Sequence, residues 1–311
     1  MQTYSAFSPF CQRGQPYYAA MTMPTPQEAR RLFSQIVRMP DQDISLVEAA
    51  LLIAARQGNG VHTELCLAQI AAMAHRISVL LALEGITDPR FAPEETVDII
   101  NRVLFAEEGF IGNRDDYYDI ENSYLDRVLV RRTGIPITLS IVYMEVATQV
   151  GLPMQGIALP GHFVVGYWPM GRGRVPRLII DPFNEGQILS TEDCATRVHA
   201  AYGEDIRFTD EWLQPMTRRQ ILARVLNNLK CIYVAQEQNQ EALRVIDMLL
   251  IVQPDAVWEL KERGMIYFRT GAFVLALADF RRYLKLMPEG EETYLVKYYI
   301  DLLRRLISSH N

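Results

Sequence analysis

Residues 122–151 read NSYLDRVLVRRTGIPITLSIVYMEVATQVG, two helical patterns that meet around Gly134. The first carries an apolar stripe at Leu125, Val128 and Leu129 behind a Ser123/Asp126 capping-box pattern, with Gly134 as its stop, so it predicts a short helix. The second begins at Pro136, where a first-turn proline loses no hydrogen bond, and is apolar on nearly every face, which predicts a buried helix. Three short β-type runs follow: MQGIAL (154–159), HFVVGYW (162–168) and RLIID (177–181). The last two are joined by the turn-rich PMGRGRVP (169–176), so this middle region, about residues 117–213, is mixed α and β.

On the N-terminal side, from about Pro26 to Ala106, the pattern is helical: PQEARRLFSQIV, SLVEAALLIAARQG and TELCLAQIAAMAHRISVLLALEG each place apolar residues at three- and four-residue spacing. Gly58 and Gly85 stand where helix ends are expected. On the C-terminal side the chain repeats itself. Ala242, Ile246 and Pro254 recur as Ala276, Phe280 and Pro288, and Tyr233 as Tyr267, each 34 positions on. That period, with small residues where helices cross and a closing proline, is the tetratricopeptide signature. Two such units cannot bury their faces alone; the helical TYLVKYYIDLLRRLI is the expected cap at one end and the mixed region the cover at the other. The expected fold class is α+β: a helical N-terminal layer and mixed core over residues 24–214, then an all-α repeat domain over 215–311, with residues 1–23 as a disordered leader and Met21 or Met23 a candidate start.

Composition narrows the function. The 311 residues are 49% hydrophobic, enough for a sizeable core. The net charge is −6 and no Lys/Arg cluster with interleaved aromatics stands out, which argues against nucleic acid. Cys11, Cys66, Cys194 and Cys231 lie far apart and are expected to be reduced thiols of a cytoplasmic protein. No apolar run is expected to reach the ~20 residues that span a bilayer, and the start lacks a signal-peptide layout, so no membrane partner is expected. His62, His75, His199 and His310 show no metal-ligand spacing, so no metal and no cofactor are expected.

Taken together, the stretches Asn122–Tyr143, Gly161–Phe163 and Asp181–Phe183 resemble the transglutaminase-like branch of the papain-like fold, and more closely the SirB-type proteins, which join this domain to C-terminal tetratricopeptide repeats. In transglutaminase-like enzymes a cysteine begins a buried helix, a histidine opens one strand and an aspartate sits on the next. The resemblance places the histidine at His162 and the aspartate at Asp181, and the Gly-x-Cys of the helix start on Gly134-Ile135-Pro136. The nucleophile position is a proline. A thiol there works because the helix dipole and an imidazole stabilise its thiolate; proline supplies neither thiol nor N–H. What remains is a His–Asp pair facing a helix start of partial positive charge, which suits an anion or a carboxylate.

If the 169–176 turn is centred between Gly171 and Arg172, antiparallel pairing sets His162 directly opposite Asp181, with Cβ atoms about 4.5–5.5 Å apart. Ser140 is the substitute nucleophile to consider, although it lies one turn deeper than Pro136, about 6 Å along the axis. Thr138 points about 160° away round the helix, and nothing local activates Cys194. Glu121 and Asn122, before the first helix, are expected with Pro136 and Phe163 to line a pocket around His162; Asn122 or Ser123 also serves as a cap.

Two functions are compatible with these residues. One is a non-catalytic, degenerate transglutaminase-like protein that acts as a binding or regulatory adaptor, its repeats presenting a groove to a protein or peptide. The other is an unconventional hydrolase or acyl-transfer enzyme in which His162 and Asp181 activate water or Ser140.

Overall fold

The computed structural model describes residues 23–169 and 173–309. The leader expected over residues 1–23 lies, except for Met23, outside the described residues, as do Cys11, His310 and the centre of the turn after Trp168.

Helix α1 (Pro26–Val37) starts in a reciprocal cap, Thr25 with Glu28, and buries Ala29, Leu32, Phe33, Ile36 and Val37. Against it lies α2 (Leu46–Arg56), capped by Ser45 and buried along almost its whole length. Helix α3 (Thr63–Leu83) follows, then α4 (Pro93–Asn101), which runs into a π-helical turn, Arg102–Glu107. The glycines expected to end α2 and α3 do so, Gly58 at φ 91° and Gly85 at φ 76°. At 21 residues α3 is long and apolar enough to cross a membrane by length and composition. This corrects the expectation that no run comes near that length; Ile70, Met73, Ala74, Ile77 and Leu81 are buried, and α3 packs on the helix that begins at Pro136.

The mixed core begins with two two-residue strands, β1 (Ile111–Gly112) and β2 (Thr133–Gly134), paired in parallel. Between them a 3₁₀ turn, Ile120–Ser123, leads into α5 (Leu125–Arg131). The Ser123/Asp126 capping box does not form. Ser123 belongs to the preceding turn, the extended residue before the helix is Tyr124, and Asp126 leaves Oδ1 buried without a partner among the described residues. The helix stops at Arg132, at φ 57°, whose guanidinium donates to Leu129 O (2.6 Å) and pairs with Glu108 while lying over the Phe110 ring. Gly134 serves packing instead: a Cβ there would stand 2.9 Å from Thr138 Oγ1 and 3.1 Å from a Val128 methyl.

Helix α6 (Pro136–Gln149) has the proline at its first position and is buried round nearly all of its circumference, as its sequence predicts. It packs on a four-stranded antiparallel sheet, β3 (Gln155–Leu159), β4 (His162–Tyr167), β5 (Leu178–Asp181) and β6 (Gln187–Leu189), in that spatial order. All six residues of β4 are buried. Helix α7 (Thr191–Tyr202), opened by a Ser190/Asp193 capping box, lies against β3 and β6.

The last region is α8 (Arg218–Ala235), α9 (Asn239–Val252), α10 (Val257–Arg269), α11 (Phe273–Leu286) and α12 (Thr293–Ser309). Helices α8/α9 and α10/α11 are the two copies of the 34-residue repeat, and α12 packs on α11 as the cap. Gly264 lets the helices of the second copy approach, since a Cβ there would meet the Phe280 ring at 2.6 Å. Arg263 ties the two copies together, reaching Asp247 at 2.6 Å and Asp279 at 2.7 Å. The repeats share one apolar core with the N-terminal layer. The N–H groups of Arg218 and Arg219 donate to Asp41 (2.9 and 3.2 Å), and the buried hydroxyls of Tyr124 and Tyr233 bond to each other.

Candidate functional site

The β3–β4 connection is Pro160-Gly161, two residues between the paired Leu159 and His162. Proline presets the first turn position and Gly161, at φ 62°, takes the left-handed value that the second requires. This puts His162 at the mouth of β4. Asp181 ends β5, and its Oδ1 caps the next turn by accepting from the N–H groups of Phe183 (3.2 Å) and Asn184 (3.3 Å).

His162 Nε2 and Asp181 Oδ2 are 2.8 Å apart. The register that delivers this contact is not the expected one. Val165 pairs with Ile180, Gly166 with Ile179 and Tyr167 with Leu178, two residues out of step, so continuation of the ladder sets Val164 opposite Asp181. A slip of two preserves the face, because side chains alternate with period two, and His162 reaches Asp181 diagonally.

Asp181 is fully buried and His162 is 8% exposed. Burial pushes the Asp181 carboxyl up, but hydrogen bonds from His162 and Asn184 and the charge of Arg197 (Nη2 at 3.0 Å) outweigh it and hold the group below the usual carboxylate range. The carboxylate is therefore ionised near neutrality and accepts from the imidazole at Nε2, which leaves Nδ1 as the ring nitrogen not engaged by Asp181. Phe183 meets the ring edge-on, 5.9 Å between centroids.

His162 lines a cleft of about 550 Å³ whose other walls are Tyr117 and Tyr118, the start of α6 at Pro136, and one face of α8. Phe163 forms part of the lining, and Gly156 makes room for it, since a Cβ at 156 would meet the ring at 2.3 Å. Arg224 lies over that ring, 5.6 Å from its centroid, and donates from Nη2 to His162 O at 2.8 Å. Pro136 offers the cleft a hydrocarbon ring, with no thiol, hydroxyl or N–H.

Three expected residues lie elsewhere. Glu121 turns away from His162 to Arg131 (3.1 Å) and Arg127 (3.7 Å). Asn122 is fully buried and spent on structure: its amide donates to Asp116 O (2.8 Å) and Tyr117 O (3.3 Å) and accepts from Asn113 (3.1 Å), which holds the loop that brings Tyr117 to the cleft. It caps no helix. Ser140 is fully buried one turn along α6, its hydroxyl lacks a partner among the described residues, and it does not line the cleft. Cys194 is also buried, which pushes its thiol up to about 11. Among the described residues no three His, Cys, Asp or Glu side chains gather as metal ligands.

Arg224, Asn228, Cys231 and Ile232, all on α8, belong to the cleft and were not legible in the sequence. Their spacing marks one helix face, but nothing in it says what that face meets.

Comparison with known proteins agrees with this architecture. The pattern of the transglutaminase-like superfamily matches residues 64–227, and that of the tetratricopeptide repeat matches residues 229–300. A UPF0162 protein of Xylella fastidiosa strain Temecula1 is 37% identical over 68% of this chain and 75% of its own length. Protein SirB1 of Salmonella typhimurium strain LT2 is 24% identical over 72% of this chain and 82% of its own. F-box only protein 21 of Homo sapiens is 28% identical over 68% of this chain, which covers 35% of that longer protein.

Proposed function

Given that this chain belongs to the transglutaminase-like superfamily and carries tetratricopeptide repeats in the SirB-type order, we propose that it is a regulatory adaptor, one that holds a peptide segment of a partner protein in the His162 cleft and performs no cysteine chemistry there. Tetratricopeptide repeats mediate protein–protein interactions. The observation that carries the proposal is that α8, the first repeat helix, is itself a wall of the cleft that His162, the outer member of the dyad, lines. A segment bound along α8 therefore lies against the dyad. With proline at the helix start, the dyad's function is recognition: Nδ1 is the ring nitrogen left to bond a peptide group, while Asp181 fixes the ring. Action in the cytoplasm is part of the proposal and accords with free thiols at Cys66, Cys194 and Cys231.

One observation favours a hydrolytic alternative: an imidazole oriented by a buried carboxylate lines a cleft wide enough for water. The Ser140 version has no such support, because that hydroxyl is outside the cleft. A screen with hydrolase and amidase probes, wild type beside His162→Ala, with mass spectrometry for adducts, separates the two. No turnover and no His162-dependent adduct is the expected result. Turnover that disappears in the variant would overturn the adaptor assignment.

A further inference from the structure

Helix α3 is apolar enough to cross a membrane, yet only 33% of its most apolar 18-residue window is buried inside the fold. Its inner side meets α6, α4 and α5. Its outer side carries Leu65, Ala68, Ala72, Val79 and Leu83, all exposed, Leu65 at 66% and Leu83 at 78%. At about 100° per residue these five fall within about 60° of the circumference, and at the helical rise they form one stripe about 27 Å long. His75 and Arg76 flank the stripe, and Arg76 is drawn aside to Glu107 (3.3 Å) and Glu108 (2.9 Å). A contiguous apolar stripe, unlike scattered apolar residues, marks a contact surface.

Its area decides between occupants. A length of about 27 Å and a helix width of about 10 Å give on the order of 270 Å², about a third of the ~800 Å² per partner that a stable interface buries. A second copy or a freely diffusing protein would not be held by this stripe alone. A tethered segment would, because a short linker supplies an effective concentration in the millimolar range.

The chain provides such a segment. Met23, where the described residues begin, packs at the N-terminal end of α3: a Cβ on Gly60 would stand 2.8 Å from the Met23 sulfur. Residues 1–22 therefore join the fold beside the start of the stripe. Their composition suits it. Arg13 is the one charged side chain among them, and Tyr4, Phe7, Phe10, Tyr17 and Tyr18 make them rich in aromatics. Solvated tails have the reverse composition, highly charged and poor in aromatics. Tyr4, Phe7 and Phe10 recur at every third position, which in polyproline form sets all three on one side. Reach is sufficient, since the stretch from Phe10 to Met23 spans about 43 Å when extended.

We infer that residues 1–22 dock on the outer face of α3, with the Phe7 and Phe10 rings seated over the alanines between Leu65 and Val79. The inference is independent of the function proposed for the His162 cleft.

The test uses the full chain and trypsin, whose one site within residues 1–22 is Arg13. A synthetic peptide of residues 1–22 gives the rate for an undocked segment, and mass spectrometry follows the cut. Cleavage tracks the undocked fraction, so Arg13 in the full chain should be cut at least about tenfold more slowly than in the peptide. Leu65→Glu with Val79→Glu, both at exposed positions, should bring the rate to within about twofold of the peptide while the thermal melt stays unchanged. Phe7→Ser with Phe10→Ser should do the same and alters no residue of the described fold. Cleavage of the wild type at the peptide's rate would overturn the inference, as would protection that survives both double variants. Two further outcomes would overturn it by naming another occupant, each with Arg13 cut at the peptide's rate. A dimer in light scattering that Leu65→Glu with Val79→Glu dissolves would assign the stripe to a second copy. Co-sedimentation with phosphatidylglycerol vesicles that the same variant loses would assign it to a membrane surface.

Discussion

Asp181→Asn preserves the shape of the side chain and turns one acceptor oxygen into a donor. The wild-type carboxylate accepts from five donors: His162, Asn184 Nδ2 and Arg197 on Oδ2, and the N–H groups of Phe183 and Asn184 on Oδ1. Whichever way the new amide is turned, its NH₂ faces two or three donors. Hydrogen bonds to a charged group contribute about 1.5–3 kcal/mol each, and breaking a buried pair costs about 3–5 kcal/mol. Arg197 is one-third exposed, so solvent screening discounts its share. We expect a loss of about 3 kcal/mol near neutral pH. The cost should also depend on pH with a definite sign. The folded-state pKa of Asp181 is depressed, so its stabilisation is present in full above the unfolded value of about 4 and drains away as pH falls through the folded value. The variant has no carboxyl to protonate, and the gap between the two proteins should narrow on acidification below about pH 4. Urea unfolding followed by circular dichroism, at neutral and acidic pH, measures both. A gap under about 1 kcal/mol at neutrality, or one that does not change with pH, would refute the account of the dyad.

Ser140→Ala removes a buried hydroxyl that has no partner among the described residues, so thermal melting should show a neutral change or a gain of up to about 1 kcal/mol; a large loss would mean that the hydroxyl is satisfied. Gly264→Ala forces a Cβ to within 2.6 Å of the Phe280 ring and should cost about 1–3 kcal/mol, with partial rescue when Phe280→Leu makes room, read from a double-mutant melt. Iodoacetamide at neutral pH should label Cys231, exposed at the cleft, well before Cys66 and Cys194, whose burial pushes both thiols up to about 11; peptide mapping over time reports the order.

Much of this was legible in the sequence wherever one local rule was decisive. Pro136 and the all-round apolar pattern after it specify a buried helix, Gly58 and Gly85 end theirs, and the 34-residue offset yields the repeats. The dyad was legible because alternation survives a register slip of two, so His162 and Asp181 share a face even though the pairing was displaced. Where two local signals compete the sequence is mute: Ser123 could cap a helix, yet the tighter turn that Asn122 anchors absorbs it. Arg224 and Cys231 were out of reach for a different reason. Their place depends on which way α8 is rotated against the sheet, and this is decided by Ile221, Gly156 and Phe163, residues far apart along the chain.

Helix α8 also bears on how this protein can be dissected or inherited. A cut at the junction of the two matched segments, between residues 227 and 229, falls inside α8, which runs unbroken from Arg218 to Ala235. Arg224 would leave with one fragment and Cys231 with the other. What sequence comparison treats as two exchangeable cassettes is joined through a shared beam, so shuffling either half onto a new neighbour rebuilds the wall of the cleft as well.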